Sequence, residues 1–155
     1  MRSPLNVWSF GLILFLGLTA SGSSADSGVT KAYRLITLPY SQVQIKIPAE
    51  ANLERRRINW ETDEFDITLH GQPLMRIVLG GGAYDVGGLR KICLNGKRAW
   101  DSGPSNGART VLIGNPGIDT MELTYAGLSQ STQRLADAMI SSVRYGEGGY
   151  PCKAS

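Results

Sequence analysis

The sequence predicts an α+β domain: a mainly antiparallel β-sheet of short strands and hairpins, with a C-terminal amphipathic helix packed on it. Three observations carry that prediction. Apolar and polar residues alternate at period two in several short stretches between residues 32 and 125. Asn95-Gly96, a dipeptide suited to the positive φ values of a type I′ turn, lies between two of them. From Ser131 onward the apolar spacing lengthens to that of a helix. Strands first and one helix last is the order of an α+β fold, without the strand–helix alternation of a parallel sheet.

The elements follow in order. Residues 32–38 (AYRLITL) and 42–47 (QVQIKI) read as the first two strands, punctuated by Pro39 and Pro48. In the second, Val43, Ile45 and Ile47 alternate with Gln42, Gln44 and Lys46, so one face is buried. Residues 55–60 read as a third strand. Phe65, Ile67 and Leu69 alternate with Asp66, Thr68 and His70 in a fourth. After His70-Gly71-Gln72-Pro73, residues 74–79 are apolar except for Arg76, which predicts a strand covered on both faces. Gly80-Gly81-Gly82 and Gly87-Gly88 frame a loop that carries Tyr84 and Asp85.

Residues 89–94 and 97–101 flank Asn95-Gly96. A two-residue loop sets Ile92 opposite Ala99, Cys93 opposite Arg98, Lys91 opposite Trp100 and Arg90 opposite Asp101. That last pair of opposite charges is worth at most about 1 kcal/mol. A second hairpin runs from residues 109–113 to 118–125 through Gly114-Asn115-Pro116-Gly117. Leu135, Ala136, Met139, Ile140 and Val143 then fall on one helical stripe. Ser129 or Ser131 is placed to cap this helix, and Gly146 to stop it.

The chain has 155 residues, 42% of them hydrophobic and 19% charged. Residues 1–25 read as a secretory signal peptide, leaving 26–155 as a single globular domain that can bury a core. Met1-Arg2 is the positive start and residues 7–18 the apolar run; Ser23 and Ala25 place the cut before Asp26. The run is shorter than the roughly 20 residues that span a bilayer, so no stable membrane insertion is expected after cleavage. The product is expected to be exported, to the periplasm or outside the cell. The net charge of +3 is too small to argue for nucleic acid as a partner. Cys93 and Cys152 are the only cysteines, and in an oxidising compartment an even pair reads as a disulfide. Closing that loop contributes about 4 kcal/mol in the chain-entropy account.

The segments QIKIPAEANL, FDITL, PLMRIVL and ADAMISSVRY together resemble the PsbP-like superfamily, which includes the photosynthetic PsbP proteins and the Ran-binding Mog proteins. The resemblance implies an antiparallel sheet flanked by helices that serves as an accessory or interaction module without catalysis. The sequence departs from that pattern between the first strands, where Ala49–Glu54 is long enough for only a turn or two of helix.

Motifs for chemistry are sparse. Gly103-Pro104-Ser105-Asn106-Gly107 matches GxSxG, but a nucleophile elbow needs a strand before the serine, a helix after it and a later histidine. Here another strand follows Ser105, and the only histidine, His70, comes earlier. Gly80-Gly81-Gly82 cannot complete GxGxxG because Asp85 stands in the last glycine's place. His70 has no neighbouring Cys or second His for a zinc site. Glu61, Asp63, Glu64 and Asp66 form an acidic cluster, read as a solvated turn or, alternatively, as the carboxylates of a small secreted hydrolase acting on glycans. No catalytic set, cofactor or metal is therefore expected.

Arg55-Arg56-Arg57 is the densest basic run, but on a strand its members alternate between faces. Arg90, Lys91, Lys97 and Arg98 decorate the Asn-Gly hairpin and are the candidate binding surface, facing an acidic protein or an anionic wall polymer. Trp60 and Trp100 read as sheet anchors. The functional expectation is an exported, non-enzymatic binding or accessory domain with a protein or cell-envelope partner, in its specific form an inhibitor or immunity-type protein.

Overall fold

The computed structural model describes residues 32–153 apart from 40, 60, 81–83, 116–118 and 147–149. The expected leader, Trp60, Gly81-Gly82, Pro116-Gly117 and Gly148-Gly149 lie outside the described residues, as does the side chain of Arg57. Strands β1 (Tyr33–Thr37) and β2 (Gln44–Pro48) form a two-stranded sheet. Seven more strands follow: β3 (Asn52–Arg57), β4 (Asp63–Leu69), β5 (Gln72–Gly80), β6 (Arg90–Leu94), β7 (Lys97–Asp101), β8 (Arg109–Asn115) and β9 (Asp119–Tyr125). They make one sheet in the order β3-β4-β5-β9-β8-β7-β6, antiparallel at every pairing. The sheet is two meanders, β3-β4-β5 and β6-β7-β8-β9, joined at a single seam between β5 and β9. Helix α1 (Gln130–Ser142) packs against β2 and β5.

Local turn chemistry sets much of this. His70-Gly71, Asn95-Gly96 and Asn106-Gly107 each combine a non-glycine residue near φ 50° with a glycine between φ 73° and 79°. Positive φ at both central positions is the type I′ turn, whose twist matches that of paired strands. The β6–β7 register is the one that the two-residue loop dictates, with Ile92 opposite Ala99 and Arg90 opposite Asp101.

Alternation then sorts the side chains. Phe65, Ile67, Ile77, Met121, Leu123, Val111, Ile113 and Ala99 point to one face of the large sheet and are buried. Covering them are Leu135, Ala136, Met139 and Ile140 of α1, with Ile45 and Ile47 of β2, in one continuous core. Full burial of each large aliphatic side chain contributes roughly 1.5–3 kcal/mol. The helix and the β1–β2 hairpin are thus one layer on one side of the sheet.

Two boundaries differ from the sequence expectation. β3 begins at Asn52 rather than Arg55; residues 49–50 before it form a turn, in keeping with the lack of an early helix in the sequence. Only Leu53 in NLERRR is apolar, so period-two hydrophobicity could not reveal a strand held partly by ion pairs. Helix α1 ends at Ser142, well before Gly146. Its carbonyl ends are taken by Asn95, whose Nδ2 donates to Ser141 O at 2.9 Å and to Val143 O at 2.6 Å. Arg144 then exchanges backbone hydrogen bonds with Gln44 at 2.8 and 2.9 Å, so the chain becomes extended. Gly146 serves close approach instead: a Cβ there would run into the Gln42 side chain. The N-terminal cap is Ser129, whose hydroxyl accepts from Thr132 N.

Cys93 and Cys152 form the expected disulfide, with Cα atoms 5.8 Å apart. A bridge from Cys152 to Cys93 leads one to expect the tail beside the first arm of the Asn-Gly hairpin, but it lies along the second arm and the turn. Its backbone binds the second arm and the turn, Arg98 N to Tyr150 O at 2.8 Å and Cys152 N to Gly96 O at 3.0 Å, while only the sulfur bridge reaches β6. Edge strand β6 already pairs with β7, and the tail fills the opposite side of β7 next to the turn.

Replacing both cysteines with serine is expected to lower stability by about 2–5 kcal/mol in urea denaturation, with the β6–β7 register retained in backbone exchange protection. Asn95→Gly keeps the turn's φ preference but removes two hydrogen bonds to α1. It is expected to lower the unfolding free energy by about 1–3 kcal/mol, and an unchanged urea midpoint would show that the cap is energetically idle.

Candidate functional site

With one face of the large sheet buried, the opposite face is the place to look for recognition. Side chains of β3, β4 and β5 that point outward form a charge ladder. Arg56 is hydrogen-bonded to Glu64 and lies 3.9 Å from Asp66. Arg76 Nε is 3.3 Å from Glu64 and 3.4 Å from Asp66. Glu64 is only 5% exposed, so its two cationic partners offset the cost of its desolvation. Sign alternates from strand to strand: guanidinium, carboxylate, guanidinium.

Beside this ladder the β4–β5 pairing slips. Ile67 pairs with Met75 but Thr68 pairs with Pro73, so Leu74 is the extra residue of a β-bulge. Leu74 and Met75, adjacent in sequence, are both buried in the core. The bulge therefore sends inward a side chain that strict alternation would put outside. A groove of about 490 Å³ opens over the spot, lined by Glu54, Asp66, Thr68, Pro73, Arg76 and Thr124 among others. Glu54 stands directly opposite Asp66 across β3 and β4. Like charges in that position are unfavourable by themselves. Asp66 also faces Arg56 and Arg76, whereas Glu54 has no hydrogen bond or ion pair among the described residues.

The acidic cluster of the sequence does not converge. Asp63 pairs with Arg55 at 2.8 Å on the other side of β4 from Glu64 and Asp66. Glu61 is exposed in the preceding turn, its N–H donating to Asn59 Oδ1. Only Glu64 and Asp66 meet, and the carboxylate that joins Asp66 at the groove, Glu54, was absent from the sequence candidates. The registered pairing of NLERRR with DEFDIT was the signal that would have found it.

The hairpin cations also separate. Lys91 and Arg98 sit opposite Trp100 and Cys93 on the outer face, whereas Arg90 and Lys97 sit opposite Asp101 and Leu94 on the other face. Arg90 lies 4.0 Å from Asp101, and the Arg98 guanidinium is 5.6 Å above the Tyr150 ring. The four residues make two pairs on opposite sides of the sheet edge. Trp100 is half-buried next to Lys91.

Ser105 exchanges backbone hydrogen bonds with Ala108 across the Asn106-Gly107 turn, at 2.8 and 2.9 Å, which is a tight hairpin and not an elbow. His70 occupies a turn, its Nε2 3.3 Å from Glu50 Oε2 in an exposed pair. In the 84–89 segment, Asp85 accepts from Gly87 N at 2.8 Å; burial and the Glu122 charge push the Tyr84 phenol up. Among the described residues no group of three or more His, Cys, Asp or Glu is gathered as a metal site, and no helix is long and apolar enough to cross a membrane.

The sequence reading missed one buried charged cluster. Arg109 holds Asp101 through two hydrogen bonds, at 3.0 and 2.8 Å, and Asp137 of α1 through a third at 2.8 Å. Tyr125 OH donates to the same Asp137 oxygen at 2.8 Å. Burial alone would raise the Asp101 carboxyl, but hydrogen bonds from Arg109 and Gly103 N, with the charges of Arg109 and Arg90, bring it below the usual carboxylate range. Burial and Asp137 push Tyr125 up to about 12. This cluster ties the sheet to the helix through Asp137. No known protein family, characterised protein or solved structure matches this chain.

Because the Tyr125 phenol is held neutral, its contribution to stability is complete below the ordinary tyrosine value near 10 and is lost as pH rises through about 12. Tyr125→Phe is expected to remove the highest-pH step from the ultraviolet tyrosinate titration. An unchanged titration would place Tyr125 among the ordinary tyrosines.

Proposed function

We propose that this chain is an exported binding domain that recognises another protein, in its specific form an inhibitor or immunity-type partner, and that the outer sheet face around the bulge groove is its recognition surface. The observation that carries this reading is the groove itself, made by a β-bulge next to a charge ladder on the face that α1 does not cover. Bulges concentrate where a sheet must re-aim side chains at a working site. Ion-paired side chains on paired strands are already ordered, so association loses less conformational freedom. The disulfide and the expected leader support an extracytoplasmic setting, and the PsbP-like resemblance supports an accessory role.

A second reading has its own observation. Glu54 and Asp66 face each other beside the groove, as carboxylate pairs do in glycoside hydrolases. Asp66 is engaged by two guanidiniums, however, which favours recognition over proton transfer as its role.

The two readings separate in one set of proteins. Wild type immobilised against native periplasm or culture medium is expected to retain a specific protein that Thr124→Trp, which fills the groove, no longer retains at an unchanged unfolding midpoint. Turnover of a glycan by the wild type, lost in folded Asp66→Asn, would overturn the binding reading and establish the hydrolase.

A further inference from the structure

We infer that the groove seats a basic side chain, lysine or arginine, projecting from the protein partner; this rests on the binding reading above and names the chemistry that the partner must carry. The sequence pointed toward an acidic partner at the hairpin cations, but those residues divide between two faces. The groove has the opposite sign. On the outward positions of β3, β4, β5 and β9, the carboxylates Glu54, Glu64, Asp66 and Glu122 outnumber the guanidiniums Arg56 and Arg76. A locally acidic face on a chain of net charge +3 attracts cations to that face.

The distribution of partners within the groove sharpens the argument. Arg76 is shared between Glu64 and Asp66, and Arg56 also serves both. The ladder's hydrogen bonds and close ion pairs thus go to Glu64 and Asp66, and Glu54 reaches Arg56 through its charge alone. Glu54 is exposed, unbonded among the described residues, and opposite Asp66. A cation placed between them relieves the repulsion of the two carboxylates while Thr68 accepts a further hydrogen bond. Pro73 and the bulge offer apolar surface for the methylene stem that both basic side chains possess. An acidic side chain would meet Glu54 and Asp66 as like charges, and a wholly apolar one would desolvate Glu54 with no hydrogen-bond partner in return.

The test uses amide-resolved NMR of the folded protein with capped pentapeptides Gly-Gly-Xaa-Gly-Gly, where Xaa is Lys, Arg, Gln or Glu. The Lys and Arg peptides are expected to give saturable shifts confined to the amides of residues 66–68, 74–76 and 124–126, and the Gln and Glu peptides none. Glu54→Gln, which touches no bond of the ladder, is expected to weaken the Lys peptide about fivefold, the upper range of an exposed ion pair. Thr124→Trp is expected to abolish the shifts by filling the groove. Shifts that do not depend on the sign of Xaa, that spread over the chain, or that persist undiminished in folded Glu54→Gln would overturn the basic anchor. Capture of a specific partner without Lys-peptide binding overturns the anchor alone. Peptide binding without any captured partner upholds the anchor and counts against the binding-domain reading.

Discussion

Arg109 is the residue on which the architecture turns. It lies between the large sheet and the helix, with one carboxylate on β7 and another on α1, and its side chain is 16% exposed. Hydrogen bonds to both carboxylates hold its guanidinium charged. Removing Arg109 would leave the buried Asp101 carboxylate without its close cation, a change that typically costs about 3–5 kcal/mol. The apolar stripe of α1 alone could slide along the sheet, because hydrophobic contact is non-directional. Arg109 and Tyr125 both end on Asp137, and this fixes where along the sheet the helix sits.

Once α1 is placed, its far end organises the remaining pieces. Asn95 of the hairpin closes the helix carbonyls, Ser142 Oγ accepts from Lys46 N of β2, and Arg144 pairs with Gln44. The β1–β2 hairpin makes no ladder with the large sheet and is held to the body through the helix end and the core. With this layer closing one face, Glu54, Arg56 and Arg76 on the outer face are left to solvent. The groove exists there because Leu74 is drawn into the same core that Arg109 aligns.

The legible parts of the sequence were those where local chemistry and periodicity agree. Asn95-Gly96 and the alternation on either side determine the β6–β7 register without any tertiary information. The helix stripe was similarly plain, since Leu135, Ala136, Met139 and Ile140 have one periodicity and one cover. β3 was misplaced because its strand character comes from pairing with DEFDIT, which no pattern within NLERRR announces. The bulge was hidden for the opposite reason: in PLMRIVL, adjacent apolar residues read as a strand buried on both faces. The groove joins residues 54, 66, 76 and 124, and only the sheet order brings these together. The division of the hairpin cations, by contrast, was available from the register, because neighbours on a strand face opposite ways.

The seam between β5 and β9 gives the chain an uneven folding problem. Each meander is built of near neighbours joined largely by tight turns, whose closure is fast and loses little entropy. The seam pairs Arg76 with Thr124 and Gly80 with Thr120, so the first meander gains its partner strand only from the end of the second. Until then β5, among the most apolar strands of the protein, has one unsatisfied edge. The Cys93–Cys152 bridge closes a loop that contains β7, β8, β9 and α1 but none of the first meander. Oxidation therefore restricts the unfolded chain in one half of the molecule and leaves the other half unrestricted.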